Sequence, residues 1–383
     1  MKFTTGIFDE LALQVKKIAK VMDVINLSIG SPDLPPHPKI IEVLTREVQN
    51  PQNYGYTLNP GLEELREALV FWYRHKYRVF LEVNETIVLL GSQEGLAHLP
   101  LAIINPGELV MVPNPGYPIY EAAAKLAGAK IFYYPLTEEN NFLLEIEKIP
   151  EEILKATKLI FLNYPNNPLT VLASYDFFEK MVFYAKKYEF IVVNDLAYGE
   201  LTFDQAKSIS LLEIPGAKDV ALEFTSVSKS FNLAGIRLGF AAGNPKLISK
   251  LTLLKSNIDY GVFKPFQKAA IEAFKYRDII ISDLVKTYES RRKVLIDSLK
   301  KWGWEVKPPL STMFLWAKLP SGFSDSKAFA FNLLSETGVA VTPGIGFGSL
   351  GEGYIRMALV ADEEKLVEAA KRIGSYLQGR SIT

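Results

Sequence analysis

Between Glu63 and Phe274 the chain returns again and again to short runs with no charged or amide side chain. They are Ile87-Val-Leu-Leu90, Leu109-Val-Met-Val112, Ile131 to Tyr134, Leu159 to Leu162 and Phe190-Ile-Val-Val193. A strand with one wet face alternates apolar and polar residues, whereas a run that is apolar throughout needs cover on both faces. Between the runs lie segments of helical length and pattern, at Gly95 to Ile104, Tyr120 to Leu126 and Tyr175 to Lys187. Parallel strands cannot be joined by a tight hairpin and need a crossover, which such helices supply. The pattern predicts an α/β fold, a mainly parallel sheet flanked by helices.

After Asp278 the texture changes. Ile279 to Trp302 reads as one long amphipathic helix with a charged outer face. Met313 to Lys318, Ala340 to Thr342 and Tyr354 to Leu359 read as strands, with helices near Lys327–Glu336 and Glu363–Leu377. This is a smaller α+β unit, and 383 residues accommodate two domains of the usual ~100–200 residues.

Composition removes several function classes. Lysine plus arginine equals aspartate plus glutamate at 43 each, so no basic excess points to nucleic acid or to an anionic membrane. With no cysteine there is no thiol nucleophile or thiolate-bound metal, and His37, His75 and His98 lack metal-ligand spacing; no metal is expected. Met1 to Glu10 has no apolar stretch like a signal peptide, and no run approaches the ~18 apolar residues of a membrane span. A cytoplasmic location is expected.

Chemistry concentrates at Ser226-Val-Ser-Lys-Ser-Phe-Asn-Leu-Ala-Gly-Ile-Arg237, just after the β-rich run Val220 to Val227. A lysine amine of lowered pKa attacks carbonyls to form a Schiff base, and the hydroxyls with Arg237 suit a phosphate. An imine-forming amine beside an anion clamp is what pyridoxal phosphate (PLP) requires. Alone, the segment reads better as a solvated lysine in a polar loop, and it is the rest of the chain that reverses this. Gly91-Ser-Gln-Glu-Gly95 lies where a strand gives way to a helix, a phosphate turn or a plain connection. Tyr117, in Asn114-Pro-Gly-Tyr-Pro118, offers a ring to stack on a flat heterocycle or merely packs a turn. Asn163-Tyr-Pro-Asn-Asn-Pro168 is a turn whose Asn167 takes its meaning from its neighbours. Asp195 ends a strand, with Tyr198 three residues on. Ligands of open α/β sheets gather at such carboxyl ends, although a helix-capping aspartate would sit there too. Arg356, inside the apolar run Tyr354 to Leu359, needs either an internal carboxylate or a substrate's. Gly346-Phe-Gly-Ser-Leu-Gly351 matches the dinucleotide pattern G-x-G-x-x-G but opens into a strand rather than a helix, so that reading is rejected.

As a set these segments resemble the class I/II aminotransferases of PLP fold type I, the aspartate aminotransferase superfamily. The likeness runs from Leu27-Ser-Ile-Gly-Ser-Pro-Asp33 to the C-terminal helix. It keeps the family's order of phosphate turn, ring-stacking tyrosine, Asn-Pro loop, pyridine aspartate, Schiff-base lysine and late arginine. The resemblance implies a large PLP-binding domain over 48–278, a small C-terminal domain over 279–383, and a segment 1–47 contributing to the small domain. It implies Lys229 as the Schiff-base lysine and proton shuttle, with Ser226, Arg237 and the Ser92 and Gln93 amides on the phosphate. Asp195 would pair with the pyridine nitrogen, Asn167 and Tyr198 with the ring hydroxyl, and Tyr117 would stack on the ring. Arg356 would bind the substrate α-carboxylate, with Asn167 and the Gly30 backbone beside it. Tyr56 would reach the partner subunit's phosphate, which implies a homodimer with shared sites.

Two departures stand out. The family's Asn-Pro-Thr-Gly reads Asn167-Pro-Leu-Thr170 here, which puts the loop geometry in question. The segment that carries a distal-carboxylate arginine in aspartate enzymes reads Lys255-Ser-Asn-Ile-Asp-Tyr-Gly261, without an arginine, closer to the LL-diaminopimelate aminotransferase-related branch. Lys255, Asn257 and Asp259 would receive a distal ammonium and carboxylate, or else pair with each other. The expected activity is transamination from an L-amino acid to a 2-oxo acid such as 2-oxoglutarate, with LL-diaminopimelate a candidate donor. Aspartate, alanine or aromatic donors, a PLP-dependent C–S β-lyase and a PLP-binding regulator are the alternatives.

Overall fold

The structure, a computed structural model, describes residues 6–379. Residues 1–5, part of the N-terminal stretch read above for a signal peptide and of the segment 1–47, lie outside the described residues, as do 380–383.

Among the described residues the strands are β1 (Ile25–Asn26), β2 (Thr86–Leu89), β3 (Leu109–Asn114), β4 (Lys130–Pro135), β5 (Thr157–Leu162), β6 (Ile191–Asp195), β7 (Ala221–Ser226), β8 (Gly239–Gly243), β9 (Phe314–Lys318), β10 (Val339–Ala340), β11 (Thr342–Pro343) and β12 (Tyr354–Ala358). Seven form one sheet in the order β2-β8-β7-β6-β5-β3-β4. The apolar runs are its strands. Alternate residues along each run, Ile87 and Leu89, Val110 and Val112, Leu159 and Phe161, pack into one buried cluster. The alternating Val88, Met111, Ile160 and Leu162 pack into another. Both faces are therefore covered, and each fully buried large side chain contributes about 1.5–3 kcal/mol.

One strand had no signal in the sequence. β8 runs antiparallel to both β2 and β7, while β3 to β7 pair parallel. Its sequence, Gly-Phe-Ala-Ala-Gly, has poor β-propensity. Small residues are needed there, because a Cβ on Gly239 would collide with the Ser92 amide nitrogen. Since β8 reverses direction twice over, β2 points the same way as β7. The carboxyl ends of β2, β3, β5, β6 and β7 thus share one edge, where ligands of open α/β sheets are bound.

β9, β12 and β11 form a separate antiparallel sheet, and β1 pairs in parallel with β10. The expected single strand Ala340–Thr342 is split. Its two halves serve different sheets, β10 beside β1 and β11 beside β12. The long helix spans Arg277–Lys301. Its charges do not all face water: Arg291 and Arg292 are buried and make forked pairs with Asp33 and Asp204. The planar guanidinium matches both carboxylate oxygens, which makes this burial tolerable.

Candidate active site

Each strand end delivers a different group. After β2 the chain turns at Gly91 with φ +80, where a Cβ would sit 2.7 Å from Arg237 Nη2. The helix Ser92–Ile103 starts at once, so the Ser92 and Gln93 amides head a twelve-residue helix, where an anion is favoured. After β7 the chain makes a one-turn helix, Val227–Ser230. Ser226 caps it, its Oγ accepting from the Ser228 amide at 3.1 Å, a bond type worth about 1 kcal/mol. Lys229 sits in that turn rather than in an open loop. Arg237 is held by Nη1 donating to the Ala234 carbonyl at 2.9 Å.

A cavity of about 710 Å³ opens at this edge. It brings together Gly30, Ser92, Gln93, Tyr117, Asn167, Asp195, Tyr198, Ser226, Lys229, Arg237 and Arg356. Tyr56 is not among them. It is 81% exposed, with its ring 4.8 Å from that of Tyr260.

The charges in the cavity are displaced from their ordinary ionisation. Burial raises the Asp195 carboxyl to about 6, against a hydrogen bond from Tyr120, the Ala197 amide and the charge of Lys229. Tyr120 Oη donates to its Oδ2 at 2.9 Å and the Ala197 amide to Oδ1 at 3.2 Å. Asp195 therefore does cap its own turn, yet no cation pairs with it among the described residues. Burial brings the Lys229 amine down to about 8, reinforced by the positive Arg356 and Arg237 and opposed by Asp195. Lys229 Nζ donates to the Gly30 carbonyl. Burial likewise raises Tyr117 and Tyr198, so both phenols stay protonated.

Arg356 is buried on β12 and finds no carboxylate among the described residues. Its Nη1 donates to Asn167 Oδ1 at 2.8 Å and its Nη2 to the Ser28 carbonyl at 3.0 Å. Its Nε is buried without a partner. The guanidinium lies 4.1 Å from the Phe314 ring centre and 4.9 Å from that of Phe347, and burial lowers it to about 10. A Cβ at Gly30 would press to 2.8 Å from that Phe314 ring, so glycine keeps this corner open.

Several contributors escaped sequence reasoning. Tyr120 reads as an apolar-helix aromatic and Phe314 as a core strand residue; nothing local marks either one. Asn163 holds two site elements, its Nδ2 donating to the Asp195 carbonyl at 2.7 Å and its Oδ1 accepting from the Asn167 amide at 2.8 Å. Of the two readings of Lys255 and Asp259, mutual pairing is the one found. Lys255 is fully buried against Glu94 and Asp259 at 2.8 and 2.7 Å. Asn257 Nδ2 is taken up by the Leu253 carbonyl, and none of the three lines the cavity.

The loop after Asn167 holds one residue in a strained conformation. Thr170 stands where the family has glycine, and its φ is +62, in the left-handed region. Its amide donates to the Asn166 carbonyl at 2.8 Å, and its own carbonyl accepts from Ser311 Oγ at 2.9 Å. A threonine thus occupies a backbone conformation that favours glycine.

The sheet, its ligand edge and this set of groups define a fold type I enzyme. The chain belongs to the aminotransferases of class I and II, whose family model matches residues 22–373, and it is a transaminase. It is 42% identical to the LL-diaminopimelate aminotransferase of Syntrophobacter fumaroxidans over 96% of this chain and 95% of that one. Among solved structures, substrate-bound BacF from Bacillus subtilis superposes with a TM-score of 0.93 at 36% identity, covering 98% of each chain. A probable N-succinyldiaminopimelate aminotransferase from Thermus thermophilus does so with 0.91 at 36% identity, covering 97% of this chain and 100% of that one.

Proposed function

We propose that the protein is a PLP-dependent, cytoplasmic homodimer that takes an amino group from LL-diaminopimelate and gives it to a 2-oxo acid such as 2-oxoglutarate. The observation that carries the α-carboxylate part of this reading is Arg356, a buried guanidinium on a cavity wall without a carboxylate of its own among the described residues. The donor rests on the name of the Syntrophobacter relative. The segments 1–47, 48–278 and 279–383 are proposed as the units of the enzyme, the first joining the third.

The residues present fit PLP. Gly91 and Gly239 leave the strand-to-helix turn free of side chains that would fill it. A buried carboxylate without a cation suits a protonated pyridine, since such a group is costly until it is paired. Ser92, Gln93, Ser226 and Arg237 would hold the phosphate, joined by Tyr56 of the second copy. Tyr117 would cover one ring face, with Asn167 and Tyr198 at the ring hydroxyl. Bound there, PLP supplies an aldehyde for the substrate amine and an electron-withdrawing ring that acidifies the bond to the substrate's α-hydrogen. Asp195 keeps the proton on the ring nitrogen. Lys229 Nζ, neutral in a good share of molecules near pH 8, moves the proton from the substrate α-carbon. Arg356 and Asn167 orient the α-carboxylate.

A donor panel read through the cofactor's absorbance tests this. LL-diaminopimelate should convert the bound cofactor faster than aspartate, alanine or phenylalanine. The donor assignment fails if it does not react while one of those does. Pyruvate and ammonia released without an oxo acid would favour the lyase alternative.

A further inference from the structure

One buried ionic cluster is used by none of the steps above. Lys255, with no exposed surface, directs its Nζ at Glu94 Oε1 and Oε2 (2.8 and 3.1 Å) and at Asp259 Oδ1 and Oδ2 (2.7 and 2.9 Å). Glu94 belongs to the first turn of the helix headed by Ser92 and Gln93, and its Oε2 accepts from the Leu90 amide. The carboxylate therefore braces Leu90-Gly91-Ser92-Gln93 from behind. His98 Nδ1 stands 3.4 Å from Glu94 Oε1 on the same helix. On the other side Asp259 Oδ1 accepts from the Gly261 amide at 2.7 Å, and the Asp259 carbonyl from Asn59 Nδ2 at 3.1 Å. That ties down the segment whose Tyr260 ring stands against Tyr56.

We infer that Lys255 is a positioning residue for phosphate recognition, holding the Gly91–Gln93 turn through Glu94 and the Tyr56–Tyr260 face through Asp259. The inference rests on the proposed phosphate site. The physical argument is one of rigidity. Lys255 is fully buried while Asp259 is only partly so, and an ammonium at that depth cannot leave its carboxylates without losing both partners. The two segments it joins are therefore fixed relative to each other. Glu94 and Lys255 lie 161 positions apart in sequence, so no local element does this. If Tyr56 reaches the phosphate of a second copy, one cluster sets the geometry of both contributions to phosphate binding.

The test compares PLP with pyridoxal, which lacks the phosphate, by equilibrium dialysis against apoprotein. The double variant Lys255→Met with Asp259→Asn cuts the link but keeps the cluster's formal charge, since one cation and two carboxylates become one carboxylate. It should bind PLP about tenfold more weakly while pyridoxal changes by less than about twofold. Glu94→Gln should move the ratio the same way by a smaller factor, and it decides the matter if the double variant does not fold. A folded variant with the wild-type ratio of the two affinities overturns the inference, and so does an equal loss for both ligands. Wild-type protein that binds pyridoxal as tightly as PLP would instead overturn the phosphate site itself.

Discussion

Arg356 Nη1 and Asn167 Oδ1 meet at 2.8 Å across 189 positions of sequence. The contact joins β12 of the small sheet to the loop that follows β5 of the large one. Only one of the guanidinium's two terminal nitrogens is committed to Asn167. Substituting lysine keeps the charge but removes the planar fork. Arg356→Lys should lower kcat/KM for both amino and oxo acid by about 10- to 100-fold, with PLP affinity within about twofold. Steady-state kinetics with both substrates, beside cofactor titration, check this.

Lys229→Ala should abolish transamination and the PLP that borohydride traps on the wild-type chain. An amine near pKa 8 is about one-tenth neutral at pH 7, against about three in ten thousand at the ordinary 10.5. Trapping on wild type should accordingly climb through about pH 8 and level off above it. Mass spectrometry that maps the adduct to another lysine contradicts the assignment.

Asp195 links activity and stability with opposite signs. Its carboxyl titrates at about 6 in the folded protein and at 3.8 ordinarily, so between these values the folded state holds the extra proton. Without cofactor, stability should fall as pH rises from about 4 to about 6. Asp195→Asn should remove that slope and make the apoprotein more stable than wild type at pH 7, while single-turnover transamination slows far more than PLP release accelerates. Urea unfolding at pH 4.5 and 7 and rapid-mixing kinetics read the two effects separately.

At Thr170 a β-branched residue occupies φ +62. Left-handed backbone costs about 1–2 kcal/mol for such residues, partly offset by the greater freedom of glycine in the unfolded chain. Thr170→Gly should stabilise the protein by about 0.5–1 kcal/mol in thermal or urea melts and leave kcat/KM nearly unchanged. A loss of stability would mean that the threonine side chain matters more than its backbone.

Tyr56 gives the assembly prediction. It is exposed, apart from the cavity of its own chain. Sedimentation should find a dimer, and Tyr56→Phe should weaken PLP binding about three- to tenfold without dissociating it. A fully active monomer at assay concentration rules the shared site out.

The sequence made the sheet legible because burial on both faces leaves an unmistakable trace in Ile87–Leu90 or Phe190–Val193. It hid β8, since close approach to Ser92 selects glycine and alanine, which carry no strand signal. The chemistry-bearing residues of the cavity were readable from type and order. Their supports were not, because Tyr120, Asn163 and Phe314 act through contacts made only after folding. Lys255 stayed ambiguous for a related reason: charge in a sequence says nothing of depth, and this ammonium is spent on Glu94 and Asp259.

The bond from Arg356 to the Ser28 carbonyl spans 328 positions, and Thr342 Oγ1 donates to that same carbonyl. During synthesis every group proposed to hold the cofactor within one chain is made before the strand that carries Arg356. A chain ending near Gly351 would include every one of those groups and lack Arg356, proposed to hold the substrate carboxylate. Contacts of such long range also form slowly, because the loop must be closed before it rewards the chain. Of the groups proposed for this site, the one for the substrate carboxylate is thus the last to be synthesised.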